Sequence, residues 1–369
     1  MASFRKRGTT WQYRIKYQDP ATGKTKEKTK SGFRIKKEAQ VEAAELEKKL
    51  YLKQHTIIEN QETILKDWLN EWLDVYGSQF GEGTLTIRKL YINKHIIPSL
   101  GNYKINQLSR IEYQKFINAL IKQEYAKSTI QSIHSIFSAA INKAVELEMI
   151  PDNKYRGISI KAKKDNEKNN YLSREEVSTF MEAAKQSPFN HYIIASFLLR
   201  TGMRKGEMLA LHWSDIDFEN KTASITKARN NRGVTKPKTK SSIRTIGIDD
   251  TLIAELKQYQ LWQKKNKVKY GPDYHSSEFL ITRANGKEMG EYGVNKAIAY
   301  ILKKTNLHHI SPHGLRHTHA VMLLESGADI KFVSERLGHA TIKMTADVYL
   351  HITKKYEAEN LLKLESYLS

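Results

Sequence analysis

The chain is 369 residues long, too long for one small core, so two or three domains are expected. Its 61 Lys and Arg against 40 Asp and Glu give a formal charge of +21, which exceeds what solubility requires and points to a polyanionic partner, nucleic acid ahead of a membrane surface. The absence of cysteine excludes disulfides and thiolate metal sites, and the absence of any run of 18 apolar residues or of a signal-peptide core speaks against membrane spanning and export.

Residues 1–57 are predicted to form a small basic module. The first 55 residues hold 15 Lys and Arg against 6 Asp and Glu. Trp11, Tyr13, Ile15 and Tyr17 alternate with Gln12, Arg14 and Lys16, the period of a half-buried strand. Asp19-Pro20-Ala21-Thr22-Gly23 reads as the following turn. Lys24 to Lys30 reads as a second strand with Lys24, Lys26, Lys28 and Lys30 together on what is expected to be the open face. Phe33 to Leu50 reads as a helix, with Ala39, Ala43, Leu46 and Leu50 on its apolar stripe. A sheet backed by a helix, with lysines on its free face, suits a DNA major groove. A solvated charged face accounts for the same pattern equally well. Trp11 and Tyr13 read as core.

Residues 58–160 are predicted to be helical. Ile64, Leu65, Trp68, Leu69, Trp72 and Leu73 mark one amphipathic helix, and Ile130, Ile133, Phe137, Ala140, Ile141, Ala144 and Val145 mark another that ends before Pro151. Ile96-Ile97-Pro98-Ser99-Leu100-Gly101 reads as a loop, since proline and glycine interrupt the pattern. Lys127, Ser128, Thr129 and Gln131 open the long helix, where backbone N–H groups and a lysine suit a phosphate. Residues 161–170 (KAKKDNEKNN) lack periodicity and read as a cationic linker.

A third domain is expected over 171–369, mainly α with one small antiparallel sheet. Ser173 and Glu176 sit at the spacing of a capping box. The apolar run Tyr192 to Leu199 reads as a buried helix leading into Arg204. Ala223–Thr226, Ile243–Ile248 and Phe279–Thr282 read as strands, and the tail, with Leu361, Leu362, Leu364 and Leu368, as an amphipathic helix. The histidines at 308, 309, 313, 317 and 319 are dense enough to raise zinc, but a third ligand and supporting carboxylates are wanting, and no metal or cofactor is expected.

Three strings carry the chemistry: TGMRKGEMLALHWSDID from Thr201, HGLRHTHA from His313, and LGHATIKMTADVY from Leu337 to Tyr349. Each has a bland reading alone. Arg204 and Glu207 are spaced as a helix-surface pair, Leu-Gly-His as a helix end, and Tyr349 as a half-buried aromatic. Together they supply two arginines, two histidines and a tyrosine. Arginine donates two parallel hydrogen bonds to phosphate oxygens and stays charged, which suits Arg204 and Arg316 to grip a phosphodiester. A phenol titrates near ~10, so Tyr349 needs a base and nearby positive charge to attack. His313, three residues from Arg316, reads as that base, and His339 as a donor to the phosphate or as a group that steadies the tyrosine.

Order and spacing resemble the tyrosine recombinases, integrases of phages and mobile elements in particular; the likeness is specific over 171–355 and architectural over 1–160. It implies a multidomain, mainly α protein: an arm-type DNA-binding domain (1–57), a helical core-binding domain (58–160), the linker, and a catalytic domain (171–369). It also implies a 3′-phosphotyrosyl intermediate, and a lysine on a hairpin as the acid for the leaving 5′-oxygen. In Thr235-Lys236-Pro237-Lys238-Thr239-Lys240-Ser241-Ser242, Lys240 matches that lysine best and Lys238 is the alternative, while Gly247 stands where many relatives have proline. Glu207 and Asp215 read as structural partners of Arg204 and its helix, and His317 as a residue that orients a neighbour. The partners so implied are double-stranded DNA at core and arm sites, a homotetramer, an excisionase and a host DNA-bending protein, in a bacterial cytoplasm at the nucleoid. Rival readings are a type IB topoisomerase-like nicking-closing enzyme, a catalytically silent DNA-binding regulator and a metal-dependent nuclease.

Overall fold

A computed structural model describes residues 2–19, 23–51, 62–162, 170–235 and 240–343, with 346, 365 and 368. The chain divides into two compact units, 1–166 and 167–369. Described residues are mainly α-helical, with small antiparallel sheets. None of the described helices is long and apolar enough to cross a membrane.

The first unit opens with a three-stranded antiparallel sheet, β1 (Ser3–Arg7), β2 (Thr10–Gln18) and β3 (Thr25–Phe33), followed by helix α1 (Lys36–Tyr51). Tyr13 and Ile15 of β2 bury against Ala39, Ala43 and Leu46 of α1, so the expected strand alternation and helix stripe meet in one core. Cross-strand partners share a face. Tyr13 opposes Lys30, Ile15 opposes Lys28 and Tyr17 opposes Lys26. The lysines therefore lie on the helix-covered side, not on the open face. Register decides this: β3 is an edge strand, where long side chains pass the rim of the core and keep their ammonium groups wet. Lys30 pairs there with Glu42 of α1. The open face instead carries Arg5, Gln12, Arg14 and Lys16, with Thr29 and Glu27 opposite Arg14 and Lys16. The strand also runs on through Phe33, which the sequence assigned to the helix. Gly32, at φ +97, is the extra residue of a bulge between Trp11–Phe33 and Gln12–Ser31, a conformation that favours glycine.

The rest of this unit is a helical bundle of α2 (Leu65–Tyr76), α3 (Glu82–Tyr91), α4 (Ile97–Leu100), α5 (Arg110–Lys122) and α6 (Lys127–Glu146). Trp68 and Trp72 of α2, Ile130, Ile133, Phe137 and Ile141 of α6, and Tyr113 and Tyr155 fill its core. Each fully buried Leu, Ile or Phe contributes about 1.5–3 kcal/mol. Two of the large buried aromatics have their polar atoms matched: Trp68 Nε1 donates to the Ala140 carbonyl at 3.1 Å and Tyr155 Oη to that of Leu108 at 2.8 Å. The loop expected at Ile96–Gly101 is helical. A π-helical turn, Ile92–Ile96, leads into α4, and Pro98 sits in its first turn, where its missing N–H matters least.

The second unit is built on α8 (Phe189–Thr201), apolar on nearly every side and surrounded by α7 (Arg174–Lys185), α10 (Asp250–Tyr270), α11 (Glu291–Leu302) and α12 (Pro312–Glu325). Ser173 and Glu176 form the expected capping box at the start of α7. A short α9 (Lys205–Ala210) follows α8, and α13 (Ile330–Leu337) follows α12. The small sheet is β4 (Ile216–Asp217), β5 (Thr222–Ile225) and β8 (Arg244–Gly247); β6 (Ala228–Asn230) and β7 (Gly233–Thr235) form a separate hairpin. Phe279–Thr282 is not a strand. It makes only isolated bridges, at Phe279 to His212 and at Thr282 to Glu288, and its apolar pattern serves burial of Leu280 and Ile281 in the core.

Candidate active site

Arg204 follows the left-handed end of α8. Thr201 closes the helix, Gly202 sits at φ +64, and a Cβ there would stand 2.5 Å from the His319 ring, so only glycine fits this turn. The chain reverses and Arg204 becomes the residue just before α9. Its backbone N–H donates to Glu207 Oε2 at 2.9 Å, its Nη1 to Glu207 Oε1 at 2.7 Å, and its Nη2 to the Gly338 carbonyl at 3.0 Å.

Arg316 arrives from α12 and is 2 % exposed. Its Nη1 donates to the Gly202 carbonyl at 3.0 Å and its Nη2 to the Leu337 carbonyl at 2.7 Å. Burial, and then Arg204, push its pKa down to about 9, which leaves it charged at neutral pH. Both arginines thus hold the last carbonyls of α13. A helix end leaves such carbonyls unpaired and carries partial negative charge, so the guanidinium groups meet both needs at once.

Leu337-Gly338-His339 is therefore a helix end, and a gripped one. Gly338 is left-handed at φ +67, and the His339 backbone N–H closes onto the Ser334 carbonyl at 3.0 Å. His313 lies in the first turn of α12 and reaches solvent, with the His317 ring edge-on at a centroid distance of 4.5 Å. Desolvation, followed by His317, Arg316 and Arg204, lowers the His313 pKa to about 4. His339 is lowered to about 4 by desolvation, then by Arg316 and Arg204, then by His317 and His313. Both imidazoles are neutral at pH 7, the state in which a ring nitrogen accepts a proton.

These five residues converge: Arg204, Arg316, His313, His317 and His339 sense one another's charge. A cleft of about 460 Å³ opens beside Arg204 and His313 and is also lined by Lys205, Ser311 and His309. Among the described residues no group of three or more His, Asp or Glu is placed to hold a metal ion. Lys240 opens a single 3-10 turn, Lys240–Ser242, that leads into β8. Lys236, Lys238, Tyr349 and most of the tail expected to be helical lie outside the described residues, as does most of the linker.

Glu207 holds two arginines, not one. Burial raises its pKa, but bonds from Arg244 and Arg204 outweigh this and leave it below the usual carboxylate value. Asp215 is not a partner of Arg204; it accepts from the His212 backbone N–H at 2.8 Å, just past α9. Sequence reasoning missed Arg244, whose side chain is 8 % exposed and bonds Glu207 through Nη2 at 3.0 Å. The signal existed: Arg244 shares strand parity with buried Ile246, and an inward arginine requires a partner. Arg336 was also missed. It donates from Nε to His319 Nε2 at 3.1 Å, so that His319 Nδ1 carries the proton and donates to the Leu199 carbonyl at 2.8 Å.

A phage integrase family model matches residues 170–356, a phage integrase N-terminal SAM-like domain model matches 63–121, and an arm DNA-binding domain model matches 3–50. A tyrosine recombinase XerC-like protein of Caldanaerobacter subterraneus is 30% identical over 323 residues, 81% of this chain and 82% of its own length. The integrase of Staphylococcus phage L54a is 29% identical over 80% of this chain and 91% of its own. Among solved structures, the Tn1549 transposon integrase with circular intermediate DNA matches at a TM-score of 0.69, 20% identical, covering 81% of this chain and 99% of that one. The lambda integrase dimer on a core site matches at 0.62 and 20% identity, over 94% of this chain and 93% of that one. The structural likenesses speak to the fold; the family model across half the chain and the similarity to the Caldanaerobacter protein settle kinship. This chain belongs to the phage integrase family and is a site-specific tyrosine recombinase.

Proposed function

We propose that this recombinase cuts DNA by attack of the Tyr349 phenol oxygen on a phosphodiester held between Arg204 and Arg316. The observation that carries the reading is the convergence of both guanidinium groups on the last turn of α13, beside three neutral imidazoles. Each arginine uses some N–H groups to fix its place, and those left over are the donors for the non-bridging oxygens. His313 takes the phenol proton, and His339 donates to the phosphate. A lysine of the 236–240 segment, Lys240 with Lys238 as the alternative, protonates the leaving 5′-oxygen. The bond energy stays in a 3′-phosphotyrosyl ester, so religation to another 5′-hydroxyl needs no ATP.

On this reading the chain works as an arm-binding domain over 1–57, a core-binding domain over 58–160, a linker over 161–170 and a catalytic domain over 171–369. It acts as a tetramer on two duplexes through a Holliday junction to integrate and excise a mobile element, with an excisionase and a host DNA-bending protein as helpers. A similar structure supports this by analogy: a lambda integrase tetramer bound to a Holliday junction.

A nicked duplex that sheds its short product after cleavage traps the covalent adduct. The unaltered protein should accumulate it and Tyr349→Phe should not; an adduct with the phenylalanine variant refutes the assignment. Arg204→Lys should lose about 10²–10³ in cleavage rate, since lysine cannot make the paired bonds. Exchange between two labelled duplexes separates a recombinase from a nicking-closing enzyme, which only relaxes supercoils.

A further inference from the structure

We infer that Arg244 is a positioning residue for leaving-group protonation: it locks the lysine-bearing turn onto the arginine pair without touching DNA. Four acceptors surround its guanidinium. Nε donates to the Arg336 carbonyl at 2.7 Å, Nη1 to the Ser242 carbonyl at 3.1 Å and to Glu207 Oε1 at 3.3 Å, and Nη2 to Glu207 Oε2 at 3.0 Å. With its side chain 8 % exposed, it is enclosed by protein.

Those acceptors belong to three parts of the site. Ser242 ends the Lys240–Ser242 turn, Arg336 lies in the last turn of α13 two residues before Gly338, and Glu207 holds Arg204. The packing leaves no slack. A Cβ on Gly338 would stand 2.8 Å from Arg244 Nη1 and 2.9 Å from the Ser241 carbonyl. Turn, helix end and Arg244 are therefore pinned to one another, and the turn sets the backbone position of Lys240. Lysine alone cannot place itself: its ammonium sits on a flexible stem, whereas a planar fork bound on several edges has one orientation.

The inference rests on the reading that a lysine of 236–240 is the acid. In the cleavage step the Tyr349 oxygen bonds to phosphorus, the bond from phosphorus to the 5′-oxygen breaks, and its electron pair goes to that oxygen. The lysine proton then completes the 5′-hydroxyl. A 5′-bridging sulfur leaves as a stable thiolate and needs no proton. A defect confined to the acid thus disappears on that substrate, while a defect in the phosphate grip persists.

The test uses the full-length protein and a suicide duplex bearing the element's core site, with either oxygen or sulfur at the 5′-bridging position. Arg244→Gln should cleave the oxygen substrate about 100-fold more slowly, within the range for lost acid catalysis, and recover to within about tenfold on the sulfur one. Arg244→Lys keeps a cation against Glu207 and should show the same selective loss, which covers a glutamine variant that fails to fold. Arg204→Lys should be slow on both. Equal losses on the two substrates, or no loss on oxygen, overturn the proposal. Lys240→Ala and Lys238→Ala separate the two levels of failure. If one is rescued by sulfur and the Arg244 variants are not, the positioning role is wrong and the acid stands. If neither is rescued, the acid reading falls and the positioning role with it.

Discussion

The amino-terminal sheet and the end of α13 both concentrate positive charge, yet they hold it in opposite ways. On the sheet, Arg14 pairs with Glu27 at 3.1 Å and Lys30 with Glu42, and all four side chains remain at least a third exposed. At α13 the acceptors are backbone carbonyls and a buried carboxylate, and Arg316 is 2 % exposed. Wet, loosely paired charge attracts a polyanion and is screened by salt. Dry charge, fixed by hydrogen bonds, costs much to assemble but is already aligned when a reaction develops charge. On the proposed reading, the same residue types serve affinity in one region and chemistry in the other.

The largest break in this comparison should come at Arg316. Arg316→Ala should lower suicide-substrate cleavage by about 10²–10³, and Arg316→Lys nearly as much, because an ammonium cannot bond Gly202, Leu337 and a phosphate together. Glu207→Ala leaves Arg204 and Arg244 without their shared carboxylate and should cost about 3–5 kcal/mol in urea unfolding. Glu42→Ala, which removes the α1 partner of Lys30 on the sheet, should change stability by less than about 1 kcal/mol. Gly338→Ala forces a side chain onto a left-handed residue against Arg244 and should cost about 1–3 kcal/mol.

Acid supplies a finer cut. His313 and His339 titrate near 4 in the folded protein, below the value near ~6.5 of an unfolded chain. The unfolded state therefore binds protons first as pH falls. Their contribution to stability is full above about 6.5 and is lost as pH drops toward about 4. Urea midpoints across that window should fall, with a smaller drop in a His313→Gln/His339→Gln double variant. The cleavage rate should show no histidine inflection between pH 6 and 8. The smallest expected effect is on the sheet: Arg14→Ala should leave stability within about 0.5 kcal/mol, yet reduce the salt slope of arm-site binding by about one if its guanidinium meets a phosphate.

How much of this was legible varied with the range of the interaction. Local signals read true: Ser173 with Glu176 as a capping box, the α2 and α6 stripes, and Glu207 as a partner of Arg204. Errors arose where a distant element decided. Alternation put the four lysines on one face but could not say which face α1 covers. Pro98 looked like a breaker, although a preceding π turn lets the helix pass through it. The arginine and histidine constellation was visible as composition at a spacing. That the arginines would seize the carbonyls at Leu337 and Gly338 was not, because those contacts span 21 and 134 residues.

One consequence of the Arg316 clamp concerns handedness. A planar guanidinium bonded to both the Gly202 and the Leu337 carbonyls has a fixed plane, and its remaining N–H groups fixed directions. The two non-bridging oxygens of a phosphodiester in DNA are diastereotopic, and on the proposed reading a fixed fork presented from one side treats them unequally. Chirality at phosphorus then becomes readable: a duplex whose scissile linkage carries a neutral methyl on one of those oxygens' positions should be cut at a different rate from its diastereomer.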